Sequence, residues 1–379
     1  MKRYSIIISA IFLICYLLFF CKSGVSKKTN PYANESFRIF RGTNIGHWLS
    51  QSQLRGEKRA AFFTEKDVKY IDSLGFDHIR LPIDEEQMWN EAGKRDEEAF
   101  ALLKNCLDWS SKAGLRVIID LHILRSHHFN EEKKPLWTVP SEQDKFIALW
   151  KDLSSFLKDY PSGMVAYEPL NEPVADDPED WNRLLGRLID SIRIWEPERV
   201  LVVGSNMWQS AATFDTFKIP DNDTNFILSF HFYEPFYLTH YKAGWTSLRD
   251  FEGKVNYPGQ IIPDTRQTGN KGKKDDHFME LSDNPDLTRV YNIDTLEYMM
   301  RKPIAMAERM KLPLYCGEFG IFMDYWHDSK QAWYRDMISI FEKHHIAYAN
   351  WNYKSSAFGI VDNNGKPFID ITNILTGRK

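Results

Sequence analysis

The sequence predicts an α/β protein, a (β/α)8 TIM barrel with a long insert after strand 6. Three observations carry that expectation. Apolar, β-branched runs recur eight times along the chain, helical patterns fill most of the gaps, and the runs are nearly continuous in apolar residues. Alternating strands and helices imply parallel strands with crossover helices. Continuous apolar runs belong to strands covered on both faces. No glycine-rich fingerprint follows the first run, which removes the main reason to prefer an open dinucleotide-binding sheet over a closed barrel.

Taken in order, strands are expected at 37–43, 76–81, 116–121, 164–170, 200–204, 226–231, 314–318 and 347–351, from their Val, Ile, Leu and Phe content. Helices are expected at 65–74, 97–113, 142–158, 178–194, 295–310 and 330–344, where apolar residues recur at helical spacing. Thr64 followed by Asp67 reads as a capping-box start for the first of them. Between the sixth strand and the helix expected from Thr295 lie about 60 residues rich in Gly, Pro, Asp, Lys and Tyr, far beyond ordinary loop length.

The chain has 379 residues, 43% of them hydrophobic and 14% aromatic, with 48 Lys+Arg against 52 Asp+Glu for a net charge of −4. Such a composition excludes a disordered, collagenous or disulfide-scaffold protein. With no sustained basic run there is no electrostatic footprint for nucleic acid, and no nucleic-acid partner is expected.

Lys2 and Arg3 precede an apolar stretch over 4–20, and Cys21 follows at once. This is the n-region and h-region of an export signal. Leu18-Phe19-Phe20-Cys21 resembles a bacterial lipobox, in which the Cys becomes the lipidated first residue. An uncleaved membrane anchor is the alternative, at the short limit for a span. The expected organisation is a leader over 1–20, a polar tether over 21–36 and one catalytic domain over 37–379, exported and held to the membrane only by its N-terminus. Cys106 and Cys316 then read as buried free thiols.

In a (β/α)8 barrel the C-terminal strand ends share one mouth, so polar residues that interrupt apolar runs there are the candidates for chemistry. They are Arg80, His122, Asn171, Glu172, His231, Tyr233, Glu318 and Trp351. The segments HIRLP, IIDLH, EPLNEP, SFHFYEP, YCGEFG and NWNYK, in that order over 77–354, resemble glycoside hydrolase family five, the cellulase-type family of retaining β-glycosidases. The resemblance implies that Glu172 is the general acid/base and Glu318 the nucleophile. It implies further that Arg80 orients Glu318, that Asn171 binds the sugar 2-hydroxyl, and that His122, His231, Tyr233 and Trp351 line the sugar subsite at the cleavage point.

The chemistry itself asks for two carboxyl groups. Breaking an acetal needs a proton on a poor leaving group while positive charge builds at the anomeric carbon, and one carboxyl cannot be both acid and anion. At about 5 to 5.5 Å apart the anion attacks directly and configuration is retained. Glu168, four residues before Glu172, is expected to lie roughly 13 Å deeper along a straight strand and to be structural. His122, His127 and His128 lack a helical zinc spacing, so no metal and no cofactor are expected. Trp48, Trp89, Trp137, Trp208 and Trp245 divide between core and sugar platforms, and Asp84 and Glu85 are placed to bond sugar hydroxyls. The insert over 237–294, with Trp245 and Tyr257, is expected to wall the cleft.

The expected activity is retaining hydrolysis of a β-linked polysaccharide or oligosaccharide by a monomer, as an endo-β-1,4-glucanase. A β-mannanase or exo-β-glucosidase of the same family, and an inactive surface glycan-binding protein, are the alternatives. A metal-dependent barrel hydrolase is a further class, which a chelator would distinguish.

Overall fold

The structure is a computed structural model that describes residues 37–262 and 290–378. The expected leader and tether, and much of the insert, lie outside the described residues. Among the described residues no helix is long and apolar enough to cross a membrane.

Eight parallel strands close into a barrel: β1 (Arg41–Asn44), β2 (His78–Asp84), β3 (Arg116–Ile123), β4 (Val165–Glu168), β5 (Leu201–Gly204), β6 (Phe226–Phe232), β7 (Leu314–Phe319) and β8 (Ala347–Asn350). Each strand pairs with the next in sequence, and β8 closes on β1 through Gly42 opposite Ala349. The expected (β/α)8 barrel is the observed one. Helices Glu65–Ser73, Glu97–Ala113, Pro140–Leu157, Pro178–Trp195, Arg301–Met310 and His327–His344 surround it. The capping box at Thr64 and Asp67 is present.

Strand runs that look uniformly apolar in sequence separate into two faces. Val117, Ile119 and Leu121 of β3 pack outward on the helices, while Ile118 joins Ala166, Val202, Ile227, Tyr315 and Ala349 in a separate cluster inside the barrel. Side chains alternate along a strand, so the inward row of β3 continues from Ile118 to Asp120 and His122. That of β4 runs from Ala166 to Glu168. The barrel is apolar at its base and charged at its mouth, and that gradient is what positions the site.

Three local differences from the expected elements have physical causes. The helix expected over 295–310 divides at Met300 into Ile293–Met299 and Arg301–Met310. Pro303 has no N–H for the Met299 carbonyl and its ring crowds that carbonyl. Two further helices, Gly56–Phe62 and Ile369–Thr376, are too short to show a decisive period in sequence. Strand β4 ends at Glu168, and Glu172 stands at φ +45°. The straight-strand extrapolation from Glu168 to Glu172 therefore does not apply, because the chain has already turned. Cys106 and Cys316 are buried and free, as expected.

Candidate active site

Arg80 organises the mouth. It projects inward from β2 with no solvent exposure, and its five N–H donors meet a ring of acceptors. Nε donates to Glu168 Oε2 at 2.6 Å and Nη2 to Glu168 Oε1 at 3.1 Å. Nη1 donates to Asn44 Oδ1 at 2.9 Å and Glu318 Oε1 at 2.7 Å. Nη2 also reaches Asn171 Oδ1 at 2.8 Å and lies 3.0 Å from Asp120 Oδ2. Arg80 does not line the cleft and so binds no sugar directly. It positions the groups that do.

Glu318 lies one residue before the end of β7, where a register shift between Phe230 and His231 of β6 sets His231 opposite it. Such an irregularity re-aims a side chain at the rim of a barrel. The preceding Gly317 leaves space that a Cβ would close, at 3.0 Å from Ser229 Oγ and 3.2 Å from His231 Nε2. Tyr233 Oη donates to Glu318 Oε2 at 2.9 Å. His231 Nδ1 lies 2.8 Å from Glu172 Oε1. One oxygen of Glu172, one of Glu318 and a ring nitrogen of His231 all fall within 4.8 Å of one another.

Burial raises both carboxyl groups, and the effect is larger at Glu172, where the Glu318 charge adds to it and no cation is bonded. At Glu318 the Arg80 charge and the Tyr233 hydroxyl work in the opposite direction. Of the pair, Glu318 is the one that ionises first and Glu172 the one that keeps its proton.

The remaining residues divide. Asn171, Tyr233, His122 and Trp351 line the cleft. His231 lies behind Glu172, against the carboxyl and not against the cleft. Burial drives His122 down to about 3, so the ring is neutral. Its Nδ1 is 2.6 Å from Asp120 Oδ2 and its Nε2 3.0 Å from Gln51 Nε2. A carboxylate on one side and an amide donor on the other place the ring proton on Nδ1. Both nitrogens are thereby occupied, and the ring stacks on Trp351 at 5.5 Å and 8°. His122 supports the indole and has no nitrogen left for sugar.

Sequence reasoning did not single out Asp120, Asn44 or Gln51. Asp120 carried the same signal as its neighbours, a charge inside an apolar strand. Gln51 has φ +50° in the loop after β1 and offered no periodic signal.

The cleft has a volume of about 1520 Å3, larger than the usual 300–1,000 Å3 of a small-molecule pocket. Of the five tryptophans in question, Trp208 and Trp245 line it. Trp48 and Trp89 are core, with indole N–H groups on Arg59 O and Asp152 Oδ2. Trp137 packs against His127 and Trp181. Glu85, expected at the mouth, is held by Arg125 and Lys145. Tyr257 is no part of the cleft wall: it is buried, and its hydroxyl bonds Asp336 at 2.7 Å on an outer helix. His127 and His128 do not join His122. Val174 N bonds His127 Nε2 and Asn130 N bonds His128 Nδ1.

A parallel (β/α)8 barrel with two unequally polarised carboxyl groups facing each other in an open cleft is the arrangement of a glycoside hydrolase. The family model Cellulase (glycosyl hydrolase family 5) matches residues 40–357. Endoglucanase C of Acetivibrio thermocellus is 33% identical over 346 residues, covering 89% of this chain and 98% of that protein. Cellodextrinase A of Ruminococcus flavefaciens is 29% identical over 313 residues, covering 82% and 84%. Among solved structures, Thermotoga maritima Cel5A in complex with cellobiose superposes with a TM-score of 0.69 at 25% identity, covering 91% of this chain and 99% of that one. The chain belongs to glycosyl hydrolase family 5 and is a glycoside hydrolase.

Proposed function

We propose that the enzyme is an endo-acting β-1,4-glucanase that works with retention, Glu318 serving as nucleophile and Glu172 as general acid/base. The observation that carries this reading is the approach of the two carboxyl groups within 4.8 Å. Facing oxygens this close favour the roughly 5–5.5 Å carboxyl separation of retaining enzymes over the roughly 6.5–9.5 Å that an inverting enzyme opens for its water.

In the first step Glu172 gives its proton to the glycosidic oxygen, that bond breaks, and Glu318 bonds the anomeric carbon. In the second, Glu172 takes a proton from water, the water oxygen attacks the same carbon, and Glu318 leaves. Neutral His231 donates from Nδ1 to Glu172 Oε1, which keeps the transferable proton on the other oxygen. Asn171 has its Oδ1 on Arg80, while its Nδ2 is buried without a protein partner; the family resemblance assigns this residue to the sugar 2-hydroxyl. Trp351 supplies a flat face. No cofactor or metal enters this chemistry.

Relatives named endoglucanase and cellodextrinase support a β-glucan substrate, and the cleft volume suits several sugar rings in a row. The leader and Cys21 support an exported enzyme tethered by its N-terminus. The reading is tested on cellulose derivatives, mixed-linkage β-glucan, mannan and xyloglucan. Viscosity should fall before much reducing sugar appears, and NMR should find the β-anomer first. Release of single sugars from chain ends, or an initial α-anomer, would overturn it.

A further inference from the structure

Seven of the barrel strands carry polar side chains, and β5, Leu201–Gly204, carries none. Its place in the floor is taken by Gln209, from the loop that follows it. The Gln209 side chain lies against the end of β5, where a Cβ on Gly204 would stand 2.7 Å from its Cδ. Met207, Trp208 and Gln209 hold φ of +53°, +59° and +53° in succession. Residues other than glycine rarely adopt such a left-handed run, and it persists only where surrounding contacts impose it.

Gln209 is 1% exposed, does not line the cleft, and has both ends of its amide engaged. Nε2 donates to Glu168 Oε1 at 3.1 Å and to the Leu170 carbonyl at 3.3 Å. Oε1 accepts from Ser229 Oγ at 3.3 Å. These contacts reach both halves of the carboxyl pair. Glu168 shares Arg80 with Glu318: Arg80 Nη2 donates to the same Glu168 Oε1 at 3.1 Å, and Nη1 donates to Glu318 at 2.7 Å. Leu170 directly precedes Asn171 and Glu172. Ser229 Oγ and His231 Nε2 face one spot, 3.0 and 3.2 Å from where a Cβ on Gly317 would stand, and His231 meets Glu172. The loop is also stitched to the Glu172 turn. Asn206 exchanges hydrogen bonds with the Ala175 backbone at 2.9 and 2.7 Å, and Trp208 N donates to Pro173 O at 3.3 Å.

We propose that Gln209 is a positioning residue for the reaction: its amide meets part of the demand of Glu168, which leaves Arg80 to hold Glu318 as the anion, and it fixes the backbone that presents Glu172. This rests on the reading of Glu318 as nucleophile and Glu172 as acid/base. Burial pushes the Glu168 carboxyl up, and the Arg80 charge and the Gln209 amide act against it. Asp120, His122, Glu172 and Tyr315 also stand around Glu168, and none of them is a cation. An apolar side chain of the same length would fill the space and leave Glu168 to lean on Arg80.

The test is the pH profile of kcat and kcat/KM on an aryl β-cellobioside for wild type, Gln209→Met, Gln209→Glu and Ser229→Ala, each expressed per folded molecule. Gln209→Met keeps the length and loses the amide. Its kcat should fall about tenfold, the scale of one hydrogen bond to a charged group, with KM preserved because Gln209 touches no substrate. Its acidic limb should move to higher pH, since Glu318 then shares Arg80 with a more demanding Glu168 and ionises later. Gln209→Glu keeps the shape but donates to Glu168 only while protonated. It should match wild type at low pH and lose activity as pH rises, before the alkaline limb of wild type is reached. Ser229→Ala should move kcat in the same direction by less. Unchanged kcat and limbs in Gln209→Met would overturn the proposal and leave Gln209 a packing residue. So would one pH dependence shared by Gln209→Met and Gln209→Glu. Should Gln209→Met not fold, Gln209→Glu decides, and an alkaline loss no earlier than that of wild type is the adverse result. Failure of the underlying reading is distinct: Glu318→Ala would stay active, or wild type would release the α-anomer first.

Discussion

On the floor of the mouth, Arg80 meets Asn44, Asp120, Glu168, Asn171 and Glu318, all of them buried. On the rim, Trp245 is 58% exposed and meets Phe322 and His240 edge-on and Phe358 at a tilt. No member of the floor can be exchanged without leaving a buried charge or acceptor unpaired, whereas a rim residue can change and disturb little beyond its own contacts. The chemical step is common to all β-glycosides, and the choice among them is not. Strand ends that share one guanidinium hold the first, and loops that share nothing hold the second.

The sharpest break is expected at Glu318. Glu318→Ala should lower kcat by at least about 10^4-fold, as nucleophile removal does elsewhere, while substrate binding persists. Azide should restore part of the rate on an activated substrate and yield the glycosyl azide of inverted configuration. Near wild-type activity on polysaccharide would sink the assignment.

Glu172→Gln should cost about 10^2- to 10^4-fold on substrates with poor leaving groups, and far less on aryl glycosides that depart unprotonated. Burial and the Glu318 charge hold the Glu172 pKa well above the carboxylate range. The acid form therefore persists as pH rises, and activity is lost when pH passes that raised value. The alkaline limb of kcat/KM should disappear in Glu172→Gln. An unchanged limb would assign it to another group.

Arg80→Ala separates the floor from ordinary core. It strands Asp120, Glu168 and Glu318 together, and breaking a buried ion pair costs about 3–5 kcal/mol. Thermal or denaturant unfolding should show that loss alongside the loss of activity. A variant of wild-type stability would mean that the carboxyl groups find other partners.

The floor was legible in sequence because it is written at period two. Arg80, His122 and Glu318 interrupt apolar strands, Glu172 follows one, and the same rule would have found Asp120. The rim was not. Tyr257 resembled a cleft aromatic, yet its partner Asp336 stands 79 residues away on an outer helix. Trp48 and Trp89 occupy loops after strands but are sealed under them, which composition cannot distinguish from a sugar platform. Gln51 matters through a left-handed backbone position and two contacts at long range, neither visible locally. Fold and chemistry follow from patterns repeated eight times, and specificity from contacts made once.

The smallest effects test whether the rim is divided as the structure divides it. Trp245 projects into the cleft and Tyr257 is anchored behind it, although both belong to the insert after β6. Losing one aromatic face is worth about 1 kcal/mol, so Trp245→Ala should raise KM on polymer by about fivefold. Its kcat should be preserved, because binding that is equal in ground and transition states appears in KM alone. A small aryl glycoside should not register the change. Tyr257→Phe removes only the hydroxyl that holds Asp336, so both substrates should keep their kinetics while stability falls by about 1 kcal/mol. If Tyr257→Phe raised KM on polymer and Trp245→Ala did not, the roles within the insert would be reversed, and the described wall of the cleft would have to be redrawn around the outer helix.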